Sequence, residues 1–138
     1  MYKRALTAGA LFAALAVILG AFGAHALKAK LTPDQQAVFE TGVRYQFYHC
    51  FALLITGVVY ASFPVKSLRL ATTFFIIGII LFSGSLYTMS MLNIMGADLG
   101  VPGAPTALGI AVGVPTPIGG LFFIMGWVAF FLGVLRKQ

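Results

Sequence analysis

Four apolar stretches, 5–24, 45–63, 70–92 and 116–135, occupy most of the chain, and none of its nine Lys and Arg or three Asp and Glu residues falls inside them. Each is about as long as a helix needs to cross a hydrocarbon layer of ~30 Å at ~1.5 Å per residue. A segment in lipid must satisfy its own backbone hydrogen bonds, so stretches this long and this apolar are expected to be helices. A charge at a helix centre costs about 2.5–3.5 kcal/mol on insertion scales, which accounts for the exclusion. The expected fold is an all-α membrane protein: a four-transmembrane-helix bundle forming one integral-membrane domain over 1–138.

The composition agrees. The chain is 60% hydrophobic and 9% charged, with a mean hydropathy of +0.99, far outside the soluble range. Its net charge of +6 does not point to nucleic acid, because Lys3, Arg4, Lys66, Arg69, Arg136 and Lys137 all flank apolar stretches. With the N-terminus inside, these six face the cytoplasm, against Lys28, Lys30 and Arg44 outside. That asymmetry predicts a multi-pass protein with both termini cytoplasmic. A cleavable signal before Ala24-His25-Ala26 is the rival reading. The first apolar run is nearer twenty residues than the ~7–15 of a signal core, so retention is expected. Cys50 is the single cysteine and forms no intrachain disulfide.

Small residues in the first stretch, Gly9, Ala13, Ala16, Gly20 and Gly23, fall on one helix face, and Gly119, Gly126 and Gly133 recur every seven residues in the fourth. Such stripes let helix backbones approach closely in a membrane, where apolar surface alone drives no association. Between the first two stretches, Thr32-Pro33-Asp34-Gln35 combines a capping Thr, Pro at the first helical position, an acid in the first turn and a closing Gln. This predicts an interfacial amphipathic helix over 33–44 that runs into the second apolar stretch, with Gln36, Glu40 and Arg44 on its polar side, a bend at Gly42 and a Glu40–Arg44 ion pair. The connection 93–115 is long and rich in Gly and Pro. Within it, 107–114 is apolar but too short to cross, and is expected to be interfacial or re-entrant.

The polar residues that invite chemistry are His25 at the end of the first stretch and Arg44, Tyr45, Tyr48 and His49 at the start of the second. Placed at one outer depth on consecutive helices, His25 and His49 are expected to line a common outer-facing site, bonded to Glu40, Arg44, a tyrosine or a neighbouring backbone carbonyl. Three readings compete: anchoring of the membrane interface, which is preferred; a pocket for a quinone- or lipid-like ligand; and ligation of a metal or haem. Metal is disfavoured because two His, one Cys and Glu40 do not form a ligand spacing, and no cofactor is expected. Ser83, Tyr87 and Ser90, flanked by Gly84, Ser85 and Thr88, make a hydroxyl stripe best read as packing glue. No catalytic constellation is present, so the expected function is a non-enzymatic packing or accessory subunit. Its partners are the lipid bilayer and a homo-oligomer or larger membrane complex, without nucleic acid.

Gly20-Ala-Phe-Gly-Ala-His25, Thr41-Gly-Val-Arg-Tyr-Gln-Phe-Tyr-His49, Leu81-Phe-Ser-Gly-Ser-Leu-Tyr87 and Thr116-Pro-Ile-Gly-Gly120 with Gly126-Trp127 resemble the small membrane-protein family called domain of unknown function 423. Transmembrane protein 256 is among its eukaryotic relatives. The resemblance implies a four-span protein of the bacterial inner membrane and no particular activity. Its motif positions here are His25, Tyr45, His49, Ser83, Gly84, Tyr87, Pro117, Gly119 and Gly120. The segment 96–114 departs from the family pattern in being longer.

Overall fold

The computed structural model describes residues 1–101 and 104–135. Helix α1 spans Lys3–Phe22 and continues through a π-helical turn, Gly23–Leu27. Helix α2 runs Pro33–Val59. Helices α3 (Lys66–Gly78) and α4 (Gly84–Ile94) are joined by a second π-helical turn, Ile79–Ser83, into one rod. A two-residue antiparallel pair follows, β1 (Gly100–Val101) with β2 (Ala104–Pro105), with Gly100 opposite Pro105. Helix α5 (Ala107–Gly113) leads directly into α6 (Pro115–Leu135).

Among the described residues, three helical stretches are long and apolar enough to cross a membrane: Lys3–Leu27, Lys66–Ile94 and Ala107–Leu135. Helix α2 is 27 residues long but is not among them. Arg44, Gln46, Tyr48 and His49 dilute its apolar surface. The helix expected over 33–44 runs on into the second apolar stretch as the first part of α2, with no break at Gly42. Its start is as expected, with Thr32 and Gln35 closing a reciprocal capping box (Gln35 N to Thr32 Oγ1 3.3 Å, Thr32 N to Gln35 Oε1 3.1 Å). The helix continues because Phe39 and Gly42 are buried, Phe39 under Gly23 and Gly42 under Tyr87. The expected Glu40–Arg44 pair does not form. Glu40 accepts from Gln36 Nε2 at 3.2 Å instead. Of the basic residues used to predict topology, Arg136 and Lys137 lie outside the described residues.

Both small-residue stripes are filled from within the chain. A Cβ built on Gly9 would meet Leu54 at 3.0 Å, and one on Gly23 would meet Phe39 at 2.7 Å, so the α1 stripe seats α2, with Ala16 fully buried between. In α6 the glycines receive α3 and the turn beyond it in antiparallel order: Gly133 takes Leu68, Gly126 takes Phe75 and Gly119 takes Phe82. The bulky partners are themselves seven residues apart. Phe123 of α6 returns the contact by covering Gly78. Gly84 is the exception among the expected packing residues, with nothing within 4 Å of a built Cβ.

Polar side chains turn inward while apolar ones face out. Gln46, Thr56, Thr72, Ser83 and Ser90 are buried, whereas Leu11, Ile18, Leu121, Ile124 and Phe131 are exposed. Thr56, Thr72 and Ser90 each donate to the carbonyl four residues earlier. Ser83 reaches across to Gly42 O at 2.8 Å. Gln46 ties three helices together, donating to Phe12 O at 2.7 Å and accepting from Tyr87 Oη at 2.9 Å.

A lateral aromatic cleft as candidate functional site

On α2, Tyr45, Tyr48 and His49 occupy neighbouring positions at helical spacing and turn toward α6. Opposite them, α6 presents Pro117 and Gly120 near its start, then Phe123, Ile124 and Trp127 one turn apart. Phe82, held in the π-helical turn between α3 and α4, closes the back. These side chains enclose a cavity of about 680 Å³. Its rim is open sideways: Tyr48 is 56% exposed, and Leu121 and Ile124 are each 60% exposed. Among the described residues, no charged side chain lines it.

His49 is the buried polar centre, 5% exposed. Its ring lies flat on Phe123, with centroids 3.4 Å apart and planes 6° from parallel. Tyr45 stacks on Phe82 at 4.7 Å. The Nδ1 of His49 is 2.7 Å from Tyr45 O, a backbone carbonyl that can only accept, so Nδ1 carries the proton. Nε2 is then the acceptor for Trp127 Nε1, 3.4 Å away across the cleft. Among the described residues, neither Tyr45 nor Tyr48 uses its hydroxyl in a hydrogen bond within the protein.

The shared two-histidine site is not formed. Gln46 is level with Phe12, and a Cβ on Gly9 would touch Cys50 O at 3.1 Å, so His49 lies beside the 9–12 stretch of α1. His25 is thirteen residues beyond Phe12, roughly 20 Å along the axis at ~1.5 Å per residue. It is exposed in the terminal turn of its helix. The depths differ because α2 begins at Pro33, which carries His49 deep into the bundle. Of the other candidates, Tyr45 and Tyr48 join His49 in the cleft, whereas Glu40 and Arg44 are exposed outside it. No group of three or more His, Cys, Asp or Glu placed to hold a metal occurs among the described residues.

Sequence reasoning missed Phe82, Phe123, Trp127 and the buried Gln46. A signal for Phe82 was present: Leu68, Phe75 and Phe82 repeat with the same period as Gly119, Gly126 and Gly133.

Comparison with known proteins fits this architecture to a lineage. The family model described as Protein of unknown function (DUF423) matches residues 19–120, a stretch holding all of the cleft except its Leu121–Trp127 side. The chain belongs to the DUF423 family. It is 37% identical over 128 residues to UPF0382 membrane protein SAB0533 of Staphylococcus aureus (strain bovine RF122 / ET3-1), covering 93% of this chain and 92% of that one. UPF0382 membrane protein YwdK of Bacillus subtilis (strain 168) is 34% identical over 129 residues, 93% of each chain. A UPF0382 membrane protein of Haemophilus influenzae (strain ATCC 51907 / DSM 11121 / KW20 / Rd) is 33% identical over 138 residues, all of this chain and 98% of the other. No solved structure matches. This DUF423 chain is therefore a membrane protein of a family without an assigned activity.

Proposed function

We propose that this DUF423 protein is a non-enzymatic binding protein of the bacterial inner membrane, whose cleft holds a neutral, ring-headed molecule dissolved in the lipid. The observation that carries this is the open side of the cleft. An aromatic cavity of about 680 Å³ with a buried imidazole at its centre faces outward between exposed apolar side chains. A phosphate or carboxylate head entering so apolar a site would need a counter-charge, and the described residues that line the cleft offer none.

The reading includes α2 as a fourth span, with both termini cytoplasmic. About twenty residues are enough to cross the hydrocarbon, and the part of α2 nearest Val59 supplies them with Gln46, His49 and Thr56 turned inward. Gln46 and Thr56 are buried and bonded, and Arg44 sits near enough to the outer end to extend its guanidinium to the surface. His49 then lies near mid-membrane, about 15 Å from Val59 at ~1.5 Å per residue. That depth suits a molecule living within the hydrocarbon rather than at its boundary.

A packing or accessory role in a homo-oligomer or larger complex is the competing reading. The two small-residue stripes that motivated it are filled inside the chain, which leaves it without that support. Native mass spectrometry of protein extracted without delipidation separates the two. A retained neutral small molecule lost on His49→Ala supports the binding role. A crosslinked partner and no retained molecule would reverse the choice.

A further inference from the structure

We infer that the cleft selects a ring bearing a free hydroxyl, a phenol-type head on an aliphatic tail, and that His49 Nε2 accepts from that hydroxyl. This rests on the binding role proposed above and goes further, because it assigns the hydrogen-bond polarity of the ligand.

The argument starts from the tautomer. Tyr45 O takes the proton side of the imidazole at 2.7 Å, so the lone pair is left on Nε2, the nitrogen directed at Trp127. The bond it receives from Trp127 Nε1 is 3.4 Å, longer than the ~2.7–3.2 Å of an ordinary N–H donor bond. A hydroxyl is the group that replaces this long contact with two better ones, donating its proton to Nε2 while its oxygen accepts from Nε1–H. A carbonyl, ester or ether oxygen satisfies only the indole and confronts the imidazole lone pair with another. The surroundings specify the rest of the head. His49 already lies flat on Phe123, and Tyr45 stacks on Phe82 with planes 29° apart, so a planar ring extends this aromatic wall, and the open rim leaves its tail in the lipid.

The test uses the full chain in lipid nanodiscs and the emission of Trp127, the only tryptophan present. The probes are 4-nonylphenol and its methyl ether, which differ only in the hydroxyl. The phenol is expected to bind saturably and about tenfold more tightly than the ether, the factor for roughly one net hydrogen bond. In His49→Phe, which keeps the stack and removes the acceptor, the two probes are expected to bind alike. Equal affinity in the native chain would overturn hydroxyl selection and leave the binding role standing. No saturable response to either probe would overturn both. A preference that survives His49→Phe would remove His49 as the acceptor. Should that variant not fold, the imidazole nitrogen-15 signals of the native chain decide. Nε2 is expected to move with the phenol and not the ether, and an unmoved Nε2 overturns the assignment.

Discussion

Gly126 lies under the ring of Phe75, so close that a Cβ built on it would come within 2.5 Å of the ring edge. The same relation recurs one heptad away, where a Cβ on Gly119 would run into the backbone nitrogen of Phe82. Side chains can turn aside, but a helix backbone held by its own hydrogen bonds cannot. Gly126→Ala is therefore expected to destabilise by about 1–3 kcal/mol and Gly119→Ala by at least as much. Gly84→Ala, with open space around it, should be neutral or stabilising by up to ~1 kcal/mol. Thermal unfolding of the three variants in one detergent checks the order. Equal loss in all three would mean that α3 and α6 do not pack through these glycines.

Gln46 and Tyr87 form the polar junction of α1, α2 and α4, and their coupling is measurable. A double-mutant cycle of Gln46→Leu and Tyr87→Phe is expected to give a favourable interaction of about 0.6–1.7 kcal/mol, the range found for side-chain bonds between membrane helices. Gln46→Leu alone should cost more than Tyr87→Phe alone, because it also abandons Phe12 O and leaves the Tyr87 hydroxyl unpaired.

The two histidines should behave differently. His25 is exposed at a helix end, so His25→Ala is expected to shift stability by no more than ~0.5 kcal/mol and to leave any retained ligand in place. His49→Ala removes a ring packed on Phe123 and the partner of Trp127. It should cost about 2–4 kcal/mol and release the ligand. Melting curves and native mass spectra of both variants test this. An identical effect at the two positions would favour a shared site after all.

Orientation is open to direct labelling. Cys50→Ala leaves a chain without cysteine, since Cys50 is the only one. In that background, Lys30→Cys should react with a membrane-impermeant maleimide added to intact cells, and Ser67→Cys only after permeabilisation. The reverse pattern would place both termini outside, and reaction at both positions would break the four-span arrangement.

What could be seen in advance followed from local chemistry. The capping box at Thr32 and Gln35, the inward hydroxyl stripe at Ser83 and Ser90, and the small-residue faces of α1 and α6 are all set by spacing along a helix. The run of the 33–44 helix into the second apolar stretch was legible as well, but not the packing that holds it. Arg44 and Glu40 read as surface residues, while Phe39 and Gly42 on the other side of the same turns were packing residues.

The sequence by itself determined which segments are helical, which face of each is small or polar, and the family to which the chain belongs. Those properties depend on neighbours within a turn or two and on the cost of bare polar groups in hydrocarbon. Only the tertiary structure decided which stripe receives which helix and therefore at what depth each polar side chain comes to rest. His49 meets Phe123 and Trp127 rather than His25 because antiparallel register pairs Gly9 with Leu54 and Gly126 with Phe75. Register is a matter of fitting large side chains over small ones between distant segments. Hydropathy is nearly the same on every side of such helices, so it carries little information about that fit.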